Sequence, residues 1–238
     1  MTAREQPSTK RGTVRSVHPQ GAYDAKRAAA LSGVPLSTLH YWARNEILMP
    51  TISPVRTKLW SYADLMGLRT IYWLRQTKRA GGNGSDVPRT SMPAVKRALK
   101  ALAELDLDLW TESGGPAVAV DRRGELYIHA RETVETISGQ SPLDADLLDL
   151  ISPFPTSEGT KGPDLQAPRP RLRIVPGKLA GAPHVEHTRI ETQALAALER
   201  RGMPTTKLRV LYPLTDDAAL DQALDLEHQL ATNLRLAA

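Results

Sequence analysis

Six prolines lie between residues 153 and 177 of this 238-residue chain. They are Pro153, Pro155, Pro163, Pro168, Pro170 and Pro176. Because proline has no backbone N–H group and clashes with the preceding helical turn, this density excludes a long helix there. The sequence therefore predicts a semi-rigid or disordered Pro-rich linker at 153–178, followed by a helical C-terminal module at 179–238.

Residues 22–79 have the pattern of a compact helical unit. Asp24 is placed to cap a helix over 25–31, and Gly33 is placed to end it. A second helix is predicted over 36–44, directly after a Gly-Val-Pro break. Two short helices joined by a glycine-containing turn are typical of the helix-turn-helix.

The rest of this unit predicts a wing and a third helix. The stretch LMPTISPVRTKLW is rich in proline and β-formers, which indicates a short two-stranded wing. Ser61 followed by Asp64 forms a capping pair for the helix that comes next. Residues 1–21 are polar and basic without periodicity, so we expect a flexible arm there.

Residues 80–152 predict an acidic α/β middle region. An apolar stripe indicates a helix over 91–105, and two β-rich runs around a turn ending in Gly124 indicate a hairpin over 117–130. The stretch 143–151 is expected to form a short acidic helix. The expected fold class is therefore α+β and mainly helical.

Charge divides the chain. Residues 1–100 carry 17 Lys and Arg against 5 Asp and Glu, whereas residues 101–238 carry 14 against 21. A concentrated basic block is the footprint of a phosphate-backbone partner, although a merely solvated basic surface has the same composition. With 3 basic and 12 acidic residues, 101–160 is not expected to form a second phosphate-binding face.

Composition also limits the function classes. The chain has no cysteine, so it forms no disulfide and no thiolate metal site. No apolar stretch is long enough to span a membrane and no signal peptide is visible, so a cytoplasmic protein without a membrane partner is expected. His184 and His187 are spaced like a ligand pair but lack a third ligand, and neither a metal nor another cofactor is expected. No persuasive catalytic motif occurs, so an enzyme is not expected.

The second predicted helix separates into two faces. Leu39 and Ala43 are apolar or small and face inward, as do Ala29, Leu31 and Val34 around the turn. The outward side chains carry hydroxyl, imidazole, phenol and guanidinium groups that suit phosphates or base edges. The candidate DNA-binding residues are Ser37, Thr38, His40, Tyr41 and Arg44 on this helix, with Arg56 and Lys58 on the wing. Trp42 and Trp60 are expected to pack in the core.

The blocks YDAKRAAALSGVPLSTLHYW, RNEILMP and KLWSYADLMGLRTIYWLR resemble the DNA-binding domain of MerR-type regulators. The resemblance implies a winged helix-turn-helix that binds double-stranded operator DNA. His40 stands where the family usually has an arginine, and Lys58 and Trp60 replace a wing arginine and tyrosine. The family's dimerisation coiled coil is missing, because AGGNGSDVP interrupts the chain.

The C-terminal pattern GAPHVEHTRI, then GMP, then YPLT before an acidic helix resembles antitoxins of VapBC-type toxin–antitoxin systems. The resemblance implies an antitoxin that neutralises a cognate PIN-type ribonuclease toxin and represses its own operon. Such nucleases bind metal through a cluster of carboxylates, and an inhibitor's arginines can pair with those carboxylates. The candidate toxin-binding residues are Arg169, Arg171, Arg173 and Arg189, although the first three also suit a solvated linker face.

Two functions remain open at this point. The first is the antitoxin and autorepressor, expected to act as a homodimer or a higher hetero-oligomer with its toxin. The second is a stand-alone MerR-like regulator whose C-terminal domain binds a ligand or another protein. The segment that dimerises is not predicted.

Overall fold

The computed structural model describes residues 20–55, 57–75, 89–129 and 147–236. These residues form an α+β fold with seven α-helices and three small antiparallel sheets, which confirms the expected fold class. The helices are α1 (Ala25–Ser32), α2 (Leu36–Arg44), α3 (Tyr62–Arg75), α4 (Met92–Ala103), α5 (Thr192–Arg200), α6 (Thr205–Leu211) and α7 (Asp217–Leu236). The strands are β1 (Ala117–Asp121), β2 (Leu126–His129), β3 (Leu147–Asp149), β4 (Phe154–Pro155), β5 (Lys161–Gly162), β6 (Leu172–Arg173) and β7 (His184–Val185).

Helix α1 begins and ends where its caps predict. The Arg27 backbone N–H donates to the Asp24 carboxylate at 2.7 Å at the start of α1. Gly33 ends α1 with φ 81°, a left-handed conformation that glycine adopts without steric cost. Its backbone passes so close to Gly162 that an added Cβ would lie 2.5 Å from the Gly162 nitrogen. The turn before α2 is therefore fixed from two sides.

The connection from α2 to α3 is held by its own hydrogen bonds. Ser61 and Asp64 cap reciprocally, because the Ser61 N–H donates to Asp64 at 2.7 Å and the Asp64 N–H donates to Ser61 at 3.1 Å. A single antiparallel bridge joins Ser53 to Leu59, and another joins Tyr23 to Trp60. Ser61 and Asp64 are thus confirmed as a capping pair.

The middle region packs on the N-terminal unit through α4, which lies against α3. The predicted hairpin is confirmed as β1 and β2, with Val118 opposite Ile128. The helix expected over 143–151 is wrong where the structure describes that stretch, since 147–149 forms β3 on the other edge of β1. Pairing with an open strand edge outweighs the helical spacing of the leucines.

Residues 153–178, named the strap from here on, correct the expected linker. The strap contains β4, β5 and β6, and three of its prolines, Pro163, Pro168 and Pro176, are buried. Phe154, Leu165, Leu172 and Ile174 belong to the same hydrophobic core as α1 and α3. Proline does exclude a helix here, but an extended chain can still pack when its carbonyl groups find donors.

Arg69 on α3 supplies many of those donors. Its side chain is fully buried, and its guanidinium donates to six backbone carbonyls at 2.5 to 3.2 Å. The acceptors are Leu31, Ser32, Leu150, Ile151, Ser152 and Pro163. One arginine therefore joins the end of α1, the segment after β3 and the strap.

The C-terminal helices close against α1. The Arg27 guanidinium donates to both oxygens of the Glu227 carboxylate at 2.7 Å. The Asn233 amide donates to the carbonyls of Ala30 at 3.0 Å and Lys161 at 2.8 Å. The α7 helix thus contacts α1 and β5 while it packs on α5.

Candidate nucleic-acid and partner-binding surfaces

Helix α2 presents a polar face to solvent. Leu39, Trp42 and Ala43 are buried and hold the helix against the core. Ser37, His40, Tyr41 and Arg44 are exposed, and Thr38 is half-buried. Because these residues recur three or four positions apart, one side of α2 carries hydroxyl, imidazole, phenol and guanidinium groups together.

Tyr41 is the large side chain on this face, and 56% of its surface is exposed. Pro35 precedes α2 and forms no side-chain cap, so the first-turn N–H groups are not satisfied by a capping side chain. Such a helix start favours an anion. This face therefore combines the positive end of the helix dipole, several hydrogen-bond donors and the flat aromatic ring of Tyr41.

The loop before α3 contributes less than predicted. Lys58 is half-buried, and Arg56 lies outside the described residues. Trp60 is fully buried and Trp42 is 7% exposed, which confirms that both indoles pack in the core. Val55 is 82% exposed on this loop.

Arg169 and Arg173, two of the four candidate toxin-binding arginines, are held inside the chain. Arg169 donates to Asp225 at 2.7 Å and to Gln229 at 2.6 Å, both on α7. Arg173 pairs with Glu186 at 2.5 Å, and its side chain is 18% exposed. These contacts tie the strap to its neighbours.

The other two candidates face solvent. Arg171 lies 3.2 Å from Asp216, and both side chains are more than half exposed, so solvent screens that pair strongly. Arg189 is exposed. Among the four, these two are open to a partner without loss of a partly buried pair.

His184 and His187 both lie beside Glu112. The Nε2 atom of His184 is 3.1 Å from one carboxylate oxygen, and the Nδ1 atom of His187 is 3.2 Å from the other. Lys178 forms an ion pair with the same carboxylate. Partial burial acts to raise the pKa of Glu112, but hydrogen bonds from Lys178 and His184 and the nearby ammonium lower it to about 2. Over the part of the chain that is described, no three His, Asp or Glu side chains are arranged to hold a metal ion.

The sequence reading missed an apolar surface on α6 and the turn after it. Val210 is 79% exposed, Leu214 is 78% exposed and Leu211 is half exposed, while Leu208 alone on α6 is buried. Exposed basic side chains precede them in the chain, namely Arg200, Arg201 and Lys207, and the exposed carboxylates of Asp216 and Asp217 follow. The available signal was the run VLYPL, whose adjacent apolar residues cannot all face one core.

Comparison of the chain with known protein families, with curated proteins and with solved structures finds no match. The MerR-like and VapB-like resemblances therefore rest on the residue blocks quoted for them. In the ranges that the structure describes, no helix has the length and apolar character needed to cross a membrane.

Proposed function

We propose that this chain is an antitoxin that binds a PIN-type ribonuclease toxin and represses its own operon by binding promoter DNA. The observation that carries the proposal is the exposed polar face of α2, set on a turn that packing holds rigidly. A winged helix-turn-helix uses such a face in the major groove, where hydroxyls and arginines meet phosphates and base edges. The basic balance of residues 1–100 supports the same partner.

His40 is exposed in the middle of this face. An arginine at that position would carry a permanent charge and five N–H donors, whereas an imidazole offers two ring nitrogens for hydrogen bonding. In this proposal His40 therefore contributes a hydrogen bond to the DNA.

The DNA half is tested with Arg44→Ala combined with Tyr41→Phe, measured by fluorescence anisotropy on the DNA upstream of the chain's own gene. We expect affinity to fall about tenfold and the salt dependence to weaken by about one phosphate contact. Arg235→Ala is the matched control, because it removes an exposed arginine at the far end of α7. Equal affinities for the double variant and the control would refute the role of α2.

The surface on α6 supports the partner half. Exposed aliphatic side chains with exposed basic residues nearby in the chain suit a protein partner whose own surface is acidic. A PIN-type nuclease has that chemistry around its metal-binding carboxylates. Val210 and Leu214 would supply apolar contact, while Arg200, Lys207, Arg171 and Arg189 would supply charge.

The partner half is tested by co-expression with a PIN-type nuclease encoded beside the gene. Val210→Ser with Leu214→Ser is expected to abolish co-purification and to restore nuclease toxicity. Leu109→Ser is the control, since Leu109 is 53% exposed outside α6. Failure of any nuclease to co-purify with the wild-type chain would remove the antitoxin function.

Arg171→Glu with Arg189→Glu tests the remaining arginine candidates. Both side chains are exposed, so the fold should survive the charge reversal. Arg173→Glu is a poorer test, because it would place two carboxylates together at Glu186. Full neutralisation by the Arg171 and Arg189 variant would remove both residues from the proposal.

A stand-alone regulator is the second candidate, and one observation favours it. A cavity of about 300 Å³ lies between α3, α4 and the preceding loop, and its lining includes Leu48, Asp64, Gly67, Leu99 and Leu102. Burial raises the pKa of Asp64, while hydrogen bonds from Thr51 and Ser61 act in the opposite direction. A ligand with an apolar body and one donor would fit this lining. Leu99→Trp would fill the cavity. If a cell extract changed the DNA affinity of this variant as much as that of the wild-type chain, no ligand would act through this cavity.

A further inference from the structure

Arginines from two separate parts of the chain meet at one open cavity. The cavity has a volume of about 410 Å³ and lies between the start of α4 and the turn that joins β1 to β2. Arg89 and Arg97 come from the α4 side, whereas Arg122 and Arg123 come from the turn. The hydroxyl-bearing residues Thr90 and Ser91 complete the polar lining.

The turn is held rigidly against α4. Gly124 has φ 79°, and an added Cβ there would lie 2.2 Å from the Ala94 carbonyl oxygen. The Thr90 hydroxyl donates to the Arg122 carbonyl at 3.2 Å, and the Arg97 guanidinium donates to the Arg123 carbonyl at 2.7 Å. The arginines are thus presented by a fixed framework.

Arg122 is further oriented by an aromatic ring. Its guanidinium carbon lies 4.2 Å from the centre of the Trp73 ring, which is 4% exposed on α3. A guanidinium stacked on an indole is held in one orientation. Arg122 therefore helps to fix the turn that presents Arg123, and a fixed turn lowers the entropy cost of binding an anion.

Acidic groups at the cavity leave a net positive charge. Glu125 lies 3.5 Å from Arg97, and both side chains are more than half exposed. The Asp121 carboxylate accepts the backbone N–H groups of Arg123 at 2.9 Å and Glu125 at 2.8 Å, so it stabilises the turn. Glu125 offsets the charge of Arg97, whereas Arg89 and Arg123 form no ion pair among the described residues and leave the cavity positively charged.

The start of α4 adds to this field. Ser91 precedes the helix and forms no side-chain cap, so the N–H groups of Met92 and Ala94 are not satisfied by a capping side chain, while Pro93 has no N–H group. The helix dipole places partial positive charge at the same end. Two elements thus direct donors and positive charge toward one cavity.

We propose that this cavity is a binding site for a phosphate group. Arginine binds phosphate through two parallel N–H donors, and several arginines around one cavity favour a doubly charged oxyanion over a carboxylate. The phosphate belongs either to a DNA backbone or to a free phosphorylated small molecule. In the DNA case, the site deepens the proposed function by adding contacts beyond α2.

This site could not be read from charge along the chain. Residues 101–160 carry 12 acidic residues and only 3 basic ones, and two of those three are Arg122 and Arg123. The fold brings them to Arg89 and Arg97 from the basic block. Counting charges along the sequence therefore does not reveal a cluster of arginines that only the folded chain brings together.

The test compares Arg89→Ala with Arg123→Ala in one variant against Lys100→Ala with Lys96→Ala as control. The control removes two exposed positive charges from α4 outside the cavity lining. Pyrophosphate affinity is measured by calorimetry, and affinity for a random-sequence duplex is measured by anisotropy between 50 and 200 mM salt. Thermal unfolding of both variants checks that they fold.

We expect the Arg89 and Arg123 variant to bind at least tenfold more weakly than the control in one or both assays. Loss of duplex affinity with a salt slope reduced by about one to two identifies the DNA backbone as the source. Loss of pyrophosphate affinity with unchanged duplex binding identifies a free phosphorylated molecule. Both results support the site.

Equal affinities for the variant and the control in both assays would overturn the site. That result leaves the proposed function intact if Arg44→Ala with Tyr41→Phe still weakens operator binding. Conversely, a wild-type chain that binds no DNA but binds pyrophosphate through Arg89 and Arg123 would retain the site and lose the DNA function.

Discussion

Replacing Arg69 is expected to destabilise the whole described fold. The side chain is fully buried, and burial lowers its pKa to about 10, with partial compensation from Tyr62, Asp164 and Asp149. It therefore remains a cation at neutral pH. Arg69→Met keeps the apolar stem and removes every donor.

The magnitude follows from the six carbonyl groups that Arg69 serves. Each buried acceptor left without a donor costs about 1 to 3 kcal/mol, although water and relaxation recover part of this. Removing the buried cation also relieves its desolvation, which offsets some of the loss. We expect a net loss of about 3 to 5 kcal/mol in the free energy of unfolding, a large share of a typical total of about 5 to 15 kcal/mol.

Two further variants separate geometry from charge. Arg69→Lys keeps the charge but cannot reproduce the planar array of donors, so a loss of about 2 kcal/mol is expected. Arg75→Met on the same helix removes one hydrogen bond, to the Thr90 carbonyl at 3.2 Å, and should cost about 1 kcal/mol.

Urea unfolding followed by circular dichroism measures all three variants at pH 7. Limited proteolysis within the strap gives an independent readout, because a strap without its donors should be cleaved faster. If the free energy of unfolding of Arg69→Met lay within 1 kcal/mol of the wild-type value, the six carbonyl groups would not need the arginine as a hydrogen-bond donor. The strap would then be held by its apolar contacts alone.

Three further perturbations follow from other contacts. Arg27→Met should cost about 3 kcal/mol, because the Glu227 carboxylate, whose side chain is 11% exposed, would keep the Thr192 hydroxyl but lose its cation. Adding Glu227→Gln should restore part of that loss in a double-mutant cycle followed by urea unfolding. The Glu112 carboxylate has a pKa of about 2 in the folded chain and about 4.5 in the unfolded chain, so its stabilisation is present above pH 4.5 and is lost as the pH falls toward 2. After discounting for solvent screening, this stabilisation is about 1 to 2 kcal/mol. The difference in free energy of unfolding between wild type and Glu112→Gln should shrink over that pH range. Gly124→Ala should lower thermal stability and weaken pyrophosphate binding together, because its Cβ would collide with the Ala94 carbonyl; unchanged binding would separate the turn from the site.

Local signals in the sequence predicted local structure well. The cap at Asp24, the left-handed turn at Gly33 and the reciprocal pair of Ser61 and Asp64 all depend on residues within three positions of one another. The hairpin around Gly124 is also local, since its strands adjoin its turn. Such features are encoded by short-range geometry and hydrogen bonding.

Features that depend on distant partners could not be predicted in this way. The strap reads as a linker because its proline content is visible, whereas its donors come from Arg69, about ninety residues earlier. Residues 147–149 read as helix because the open edge of β1 cannot be seen from their spacing. The candidate DNA-binding face was predictable on α2, but the cavity at Arg89 and Arg122 needed the fold.

The strap also changes what the division into domains means for function. One face of α1 packs against α2 and α3, while the other contacts α7 through Glu227 and Asn233. If α7 moved away from the turn before α2, the ion pair of Arg27 with Glu227 and the hydrogen bonds of the Asn233 side chain would have to break together. Because that cost is high, we expect α1 and α7 to move as one rigid unit. A partner bound at α6, which packs on α5, would therefore be coupled to α2 through a continuous packed structure, whereas a flexible linker would leave the two surfaces independent.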